Sequence, residues 1–482
     1  YLDGVATNTG VYDVNSDLTV GDLTVTGAFE ALGTIKLDGN YPNGSNNVAL
    51  GNGALDGSLS GTGLNVAIGD SAMTKNTSGP ENTAVGRLAM GCNTTGSYNA
   101  AFGTNTMQQN TEGEENSAFG MQALNANTTG DGNSAVGTAA LNANISGSSN
   151  TAVGKRSLKT NTTASNNTAV GFDSLCANTT GTLNVALGTL ALDANTTGSC
   201  NIAIGTGSLG ANTEGQTNLS IGFRSSEKTT TGDRNTIVGH DAFRCNTTAS
   251  DNTAFGYQAL HCNTSGNNNV AVGNALCKNL SGLYNVAMGS GALSSNTTAS
   301  ANVGIGRLAL TTNTTGACNV AIGCCALKSN TTASFNTALG YDTLKANTTG
   351  TCNTAVGKSA LSTNVTGVNL TAVGMNALLN NTADSNTSVG FNSMCVNSSG
   401  ASNTALGVNA LKANTTASDN VAVGNAALTT NTTGASNTAI GRSALNANTT
   451  AANNTAVGYN ALLSNVSGDQ NTAIGFGALR LN

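Results

Sequence analysis

The chain has 482 residues, of which 9% are charged and 4% aromatic, with 61 glycines, two prolines and no tryptophan. This composition provides few large side chains for a globular core, so the length does not predict several ordinary domains. The net charge of −6 comes without any basic block, which argues against a nucleic-acid partner. No apolar run approaches the ~20 residues that cross a bilayer, so no membrane insertion is expected.

The first segment of the chain does not follow the repeat described next. Within residues 1–46, Leu18, Val20, Leu23 and Val25 alternate with polar residues. This period of two is typical of half-buried strands. We therefore expect residues 1–46 to form a β-rich N-terminal cap or connector.

Residues 47–482 repeat one phrase 26 times, with the average form N-T-A-V-G-x-x-A-L-x-x-N-T-T-G-x-x. We number each repeat from the glycine after the V, which is position 0 and occurs first at Gly51 and last at Gly475. Successive glycines are 17 residues apart, except for one step of 18 and two steps of 16, after Gly273 and Gly374. So short and regular a period predicts a solenoid, in which neighbouring repeats bury each other.

Each repeat contains two short apolar segments. Position −1 is apolar, as in Val85, and position +4 is Leu, Met or Phe in nearly every copy, as in Leu124, Leu192 and Leu462. Because Gly and N-T-T-G separate the segments, each coil is predicted to have two short strands and two turns. The expected fold is an all-β parallel β-roll, or β-solenoid, that buries one Val and one Leu per coil.

Two polar or small positions have predicted structural roles. The position-0 glycine is interpreted as a residue that needs positive φ or a close backbone approach. The Asn of N-T-T-G, at position +7, is expected to cap its turn and to bond to the copies above and below in a ladder. Representative residues are Gly86, Gly137, Gly205 and Gly441 for the glycine, and Asn93 and Asn178 for the asparagine.

The predicted core is thin. One Val and one Leu per coil are a small apolar burial against the conformational entropy of ordering a whole coil. We therefore expect further burial against other copies of the chain. The small residue at position −2, such as Ala84 or Ala203, is expected to let neighbouring sheets approach closely.

Few residues support catalysis or metal binding. His240 and His261 occupy different positions on adjacent coils and are interpreted as surface residues, and the acidic run at 112–116 as a solvated turn. The carboxylate ladder of calcium-binding β-rolls is missing. The eleven cysteines include no CxxC pair. We predict no catalytic, cofactor or metal site, and the chain is not expected to be an enzyme.

The cysteines are interpreted as free thiols. Cys245 and Cys262 share position +6 on adjacent coils, at a separation that a disulfide allows. Parallel Cβ vectors nevertheless favour two stacked thiols over a bridge. Free cysteines are more typical of assembly in a reducing cytoplasm.

The N-x-[S/T] sequons, such as Asn161 and Asn347, are also numerous. Adjacent sites in a ladder would be only ~4.8 Å apart, which crowds glycans. We therefore interpret these asparagines as turn residues rather than glycan acceptors.

Three coils depart from the average. The coil of Gly222 has Ser226 where others have Leu, and the two shortened coils pass through Cys277 and Asn381. Since each coil contacts only its neighbours, these defects are expected to weaken the solenoid locally.

The phrases NTAVG and NTAIG, followed by xxAL, resemble the head repeats of trimeric autotransporter adhesins, which wind into a left-handed parallel β-roll and trimerise. They are equally similar to the repeat shafts of phage and viral tail fibres, where a lead-in such as LTVTG at residues 23–27 is common. The resemblance covers about residues 47–482. The adhesin repeat is shorter than 17 residues, so turn geometry and handedness do not carry over. The resemblance implies a trimeric fibre segment.

We therefore expect a non-enzymatic structural or adhesive fibre protein, a phage or viral tail-fibre segment that spaces or presents a host-receptor-binding tip. The alternatives are a secreted bacterial surface adhesin or extracellular filament subunit and, less favoured, an ice- or glycan-binding solenoid. Expected partners are two further copies in a homotrimer, other fibre, baseplate or anchor proteins, and a host-cell receptor or glycan. The expected location is extracellular or on the virion surface.

Overall fold

The computed structural model describes residues 46–57 and 63–481, so residues 1–45 of the predicted N-terminal cap lie outside the described residues. Within this part the chain forms 26 strands of three residues each. In chain order they are β1 (Val48–Leu50), β2 (Val66–Ile68), β3 (Thr83–Val85), β4 (Ala100–Phe102), β5 (Ser117–Phe119), β6 (Ser134–Val136), β7 (Thr151–Val153), β8 (Thr168–Val170), β9 (Val185–Leu187), β10 (Ile202–Ile204), β11 (Leu219–Ile221), β12 (Thr236–Val238), β13 (Thr253–Phe255), β14 (Val270–Val272), β15 (Val286–Met288), β16 (Val303–Ile305), β17 (Val320–Ile322), β18 (Thr337–Leu339), β19 (Thr354–Val356), β20 (Thr371–Val373), β21 (Thr387–Val389), β22 (Thr404–Leu406), β23 (Val421–Val423), β24 (Thr438–Ile440), β25 (Thr455–Val457) and β26 (Thr472–Ile474).

Every strand pairs in parallel with the next one along the chain, from β1 to β26, in a single sheet. The register is set by the repeat, so that Thr151 pairs with Thr168, Ala152 with Ala169 and Val153 with Val170. The predicted all-β parallel β-solenoid is confirmed. The described residues include no helix that could span a membrane.

The structure has one strand per coil, not the two that the sequence predicted. The second apolar segment does form a backbone ladder, because the Leu124 N–H donates to the Ala140 carbonyl at 2.9 Å. Its backbone is not extended, however, since Leu124 has a φ of 51°. The segment is therefore a stacked turn.

The left-handed backbone at position +4 recurs along the whole solenoid. Its φ lies between 47°, at Met394, and 54°, at Leu192. This region is strained for most residues and worst for β-branched ones. It explains why the position holds Leu, Met, Phe or Ser and never Val or Ile, although Val and Ile are frequent at position −1.

The interior of each coil is filled by Ala at positions −2 and +3 and by the apolar residue at +4. Ala84, Ala89 and Met90, for example, are fully buried in their own coil. The expectation that a Val is buried at position −1 was wrong, because strand residues alternate and the Ala at −2 already points inward. Val85 lies on the outer side and is only half-buried.

The position −2 alanines were also expected to lie between neighbouring chains. This was wrong, since Ala84, Ala135, Ala203 and Ala439 have no exposed surface in a single chain. They face the coil interior, where the position is Ala in most coils and a larger apolar residue only at the fully buried Ile237.

The apolar core is divided into two stacks. One runs from Ala54 to Leu209 and the other from Ile237 to Ala473. Between them lies a layer of three buried serines in the coil of Gly222, at positions −2, +3 and +4: Ser220, Ser225 and Ser226. The Ser220 and Ser225 hydroxyls are 2.7 Å apart, whereas the buried Ser226 hydroxyl has no hydrogen-bond partner.

The two shortened coils keep their cores. Their alanine and leucine, Ala275 and Leu276 in one and Ala377 and Leu378 in the other, are fully buried. Each coil accommodates its deletion in a turn. In one coil the φ of Gly273 falls to 86°. In the other the turn after Asn381 is one residue shorter, and the Asn381 Nδ2 donates to the Ala383 oxygen at 2.6 Å. The serine layer is therefore the larger core defect.

The left-handed backbone at position +4 predicts that an unbranched apolar side chain is more stable there than a β-branched one of equal hydrophobicity. Leu192→Ile should lower the free energy of unfolding by about 1–3 kcal/mol, because a β-branched side chain is strained at a φ of 54°. Leu192→Met, which keeps the unbranched Cβ, should cost less than about 1.5 kcal/mol. Chemical denaturation measures both variants, and equal losses would contradict the backbone explanation.

The serine layer predicts local weakness. The amides of Ser226 and Leu428 each donate to the next coil at 3.0 Å, so bond length does not distinguish them. A missing buried Leu removes roughly 2–5 kcal/mol of local stability. Hydrogen exchange should therefore be at least about tenfold faster at Ser226 than at Leu428. Equal protection would show that neighbouring coils compensate for the lost core contacts.

Candidate functional site

The outer side of the sheet presents an almost continuous row of apolar side chains at position −1. Phe119 is 42% exposed, Val136 42% and Leu339 45%. The rings of Phe102 and Phe119 stack with centroids 4.9 Å apart, as the coil spacing dictates. An extended apolar surface of this kind is typical of a protein interface.

A second exposed row follows the position-0 glycine. At position +1 the side chains of Met121, Phe172, Tyr257 and Tyr341 are all more than 40% exposed. Because positions −1 and +1 flank the same glycine, the two rows lie side by side along the solenoid. The +1 row is mixed, because other copies carry a charged residue there, such as Lys155 or Lys358. We call the −1 row and the apolar residues at +1 together the outer apolar face.

The predicted Asn ladder at position +7 is present. Asn93 is fully buried, and its Nδ2 donates to the Asn76 Oδ1 at 3.0 Å and to the Gly96 oxygen at 2.9 Å. Its own Oδ1 accepts from the Asn110 Nδ2 at 2.8 Å. Each amide therefore closes its turn and links two neighbouring coils.

Sequence analysis missed a second ladder at position −4, the N of NTAVG. The Asn99 backbone N–H donates to the Asn82 Oδ1 at 3.0 Å, and the Asn99 Nδ2 donates to the Gly113 oxygen at 2.8 Å. The signal was available, because this Asn recurs as regularly as the one at +7. The two ladders account for most of the buried polar side chains.

The sequon asparagine Asn161, at position +7, uses both of its amide hydrogens in the coil stack. Asn161 is fully buried, and its Nδ2 donates to the Asn144 Oδ1 at 2.8 Å and to the Ala164 oxygen at 2.9 Å. N-glycosylation replaces one of these hydrogens with a bulky sugar, which suits only surface asparagines. The folded coil is therefore incompatible with a glycan at this residue. This agrees with the interpretation of the asparagine as a turn residue.

Both reasons proposed for the position-0 glycine hold. Gly86 has a φ of 137°, and a Cβ built there would lie 2.4 Å from the Gly103 oxygen of the next coil. Any side chain would thus be strained and would push adjacent coils apart. The other glycines singled out by sequence behave alike: Gly137, Gly205 and Gly441 have φ values of 130°, 127° and 134°.

The other predicted repeat positions are placed as follows. Leu124, Leu192 and Leu462 are fully buried in the core. Asn178 is fully buried, and its Nδ2 donates to the Asn161 Oδ1 at 2.9 Å. The residues form parallel columns rather than one pocket, so they build the scaffold and do not converge on a ligand.

Ionic side chains concentrate beside the serine layer. Arg224 lies 3.3 Å from Asp241, and Arg244 lies 2.6 Å from Glu227 on the preceding coil. The His240 ring is half-exposed and lies between the rings of Phe223 and Tyr257. Ion pairs and rings thus bridge coils at the level where apolar core contacts are interrupted.

The neighbouring coils bring a histidine and two cysteines together. One ligand atom from each of Cys245, His261 and Cys262 lies within 4.8 Å of the other two. Burial lowers the pKa of His261 and raises that of Cys262. All eleven cysteines are free, in agreement with the expectation for Cys245 and Cys262. Within residues 46–57 and 63–481 this is the one group of three or more such ligands.

Comparisons with models of known protein families and with curated proteins gave no match.

The buried ladder at position +7 predicts that losing the side-chain amide of one asparagine destabilises the solenoid. Asn195→Asp should lower the free energy of unfolding by more than about 2 kcal/mol, because it removes both Nδ2 donors and leaves buried acceptors facing a carboxylate. Asn142→Asp is the matched control, since the Asn142 amide bonds to the Gln122 oxygen in an exposed position. Denaturant titration compares them, and similar losses would contradict a special role for the buried ladder.

Proposed function

We propose that the chain is a non-enzymatic structural segment of an extracellular or virion-surface fibre, which spaces or presents a receptor-binding tip. The observation that supports this most is the unbroken stack from β1 to β26. A stack in which each coil adds ~4.8 Å reaches about 120 Å over the repeat region. A spacer needs only length and stiffness. This agrees with the arrangement of the repeat residues, which form parallel columns along the solenoid and do not converge on one pocket.

The outer apolar face supports assembly as a homotrimer. In a single chain, side chains such as Phe119, Val136 and Leu339 remain 42–45% exposed along the sheet. Packing three sheets face to face would bury these rows and supply the apolar burial that the thin alanine interior lacks. In this proposal the residues at positions −1 and +1 form the contact between chains, instead of the Ala at position −2 that the sequence suggested.

One of the two threonine rows, at position +8, weighs against an ice-binding solenoid. The Thr94 hydroxyl donates to the Thr111 backbone oxygen of the next coil at 2.9 Å, and the same contact recurs at Thr111 and Thr128. Hydroxyl donors committed to the backbone are not available to ice. The second threonine of N-T-T, such as Thr129 or Thr180, stays exposed and is the row on which the ice-binding alternative depends. The free cysteines fit assembly in a reducing cytoplasm, as for a virion component, better than secretion through an oxidising compartment.

Mass and shape test the assembly. The 47.5 kDa chain should give a native mass three times as large, and solution scattering should show a rod with a repeat region near 120 Å. Val136→Lys with Val170→Lys should yield folded monomers, because two charges would enter the apolar interface.

The matched control is Ser146→Lys with Thr180→Lys, on the same coils at exposed polar positions. It should keep the trimer. A monomeric parent protein, or dissociation of both variants alike, would contradict assembly through the outer apolar face.

Location tests the function itself. Gold-labelled antibodies against the chain should decorate projecting fibres on intact virions or, for the adhesin alternative, on the cell surface. Label confined to the cell interior in the absence of virions would overturn the proposed function even if the chain is a trimeric rod.

A further inference from the structure

Two adjacent coils, those of Gly239 and Gly256, carry side chains that the repeat does not explain. Cys245 and Cys262 stack at position +6, and His261 lies beside Cys262 at position +5. The imidazole Nδ1 of His261 is 3.4 Å from the Cys262 Sγ, and one ligand atom from each of the three residues lies within 4.8 Å of the other two. All three side chains are partly buried.

The backbone holds these donors in place. The Cys245 N–H donates to the His261 oxygen at 3.0 Å, and the Cys262 N–H donates to the Cys277 oxygen at 3.0 Å. The ladder thus fixes the spacing between the two thiols and the imidazole. It also places a third cysteine, Cys277, in the next coil.

We propose that Cys245, His261 and Cys262 bind a thiophilic divalent cation of the Zn²⁺ class, which crosslinks two adjacent coils. Thiolate and imidazole are the ligands that such a cation prefers, with Zn–S near 2.3 Å and Zn–N near 2.0–2.1 Å. Tetrahedral geometry with these bonds places donor atoms roughly 3.5–3.8 Å apart. Since the three ligand atoms already lie within 4.8 Å of one another, side-chain adjustments of about 1 Å bring them to this spacing, and water completes the fourth position.

The charges around the site are compatible with a dication. The nearby guanidinium groups of Arg224 and Arg244 are paired with Asp241 and Glu227. Binding converts two thiols to thiolates and releases two protons, so the two negative charges balance the cation. No oxidant or further reactant is needed.

The position of the site gives it a structural purpose. It lies between the serine layer around Ser226 and the shortened coil of Gly273, where the solenoid departs most from its repeat. A crosslink between coils would stabilise this stretch because the cation binds only the folded arrangement. The inference is independent of the proposed fibre function.

The test uses the full chain, purified in a phosphine reductant that does not supply a thiol. Cobalt(II) is the spectroscopic probe and Zn²⁺ the competitor. One equivalent of cobalt should produce sulfur-to-cobalt charge-transfer absorption with the visible bands of a tetrahedral site. Stoichiometric Zn²⁺ should abolish these bands and raise the melting temperature.

Variants identify the ligands. Cys245→Ser with Cys262→Ser should eliminate the charge-transfer band. His261→Asn should weaken binding by at least about tenfold, since even loss of a residue that only supports a metal ligand has that effect. The control is Cys324→Ser with Cys325→Ser, which removes another close thiol pair, with sulfurs 3.4 Å apart. It should leave affinity and spectrum unchanged.

Circular dichroism without metal establishes that each variant is folded, and His261→Asn keeps the test valid if the double cysteine variant is not. Unchanged cobalt binding in the variants would overturn the proposal. So would equal loss in the control, absence of binding by the reduced parent chain, or a Cys245–Cys262 disulfide that persists in the reductant.

Discussion

Stacking of like residues one coil apart is the constraint on which the rest of this structure depends. Backbone N–H groups bond to the neighbouring coil in the strand and again at position +4, as at Leu124. The buried amides need the same register, because Asn93 donates to Asn76 and accepts from Asn110. An identical partner above and below satisfies the polar atoms of Asn93, which unpaired would be costly in a narrow interior. Each coil therefore acts as a template for the next.

The narrow interior determines what faces outward. Ala occupies positions −2 and +3, and the residue at +4, such as Leu192, adopts a left-handed backbone to turn the chain inward. No room remains for the larger strand residues at −1, so Val136 and its counterparts lie outside. The same geometry that closes a coil thus creates an apolar exterior. Solenoid folding and the proposed association between chains would thus be coupled through this one packing limit.

The sequence predicted the features that depend on periodicity and turn chemistry. The position-0 glycines, the +7 asparagines and the parallel stack followed from the repeat, and Gly86 and Asn93 confirm them. It could not predict which side of a three-residue strand faces inward, because Thr83, Ala84 and Val85 contain too few residues for a clear polar alternation. The left-handed backbone at position +4 was not predicted for a different reason. Its one indication in the sequence is that Val and Ile do not occur at this position.

The sequence placed Cys245 beside Cys262 from their shared repeat position, but it did not bring His261 to these thiols, because this histidine was compared only with His240. Cys245 and Cys262 are 17 residues apart yet adjacent in space. In a solenoid the relevant neighbour of a residue is one period away, so position within the repeat is the better coordinate. His261 then falls beside both thiols.

The serine layer affects how far unfolding can spread along the solenoid. In a stack of templated coils, fraying that begins at one end tends to proceed coil by coil, since each lost neighbour exposes the next. The core contacts that transmit this loss stop between Leu209 and Ile237. The apolar core therefore consists of two segments in series, joined at the serine layer by the backbone ladder, in which the Ser226 N–H donates to the Ala242 oxygen at 3.0 Å. Fraying from one end is expected to lose its core coupling at this layer.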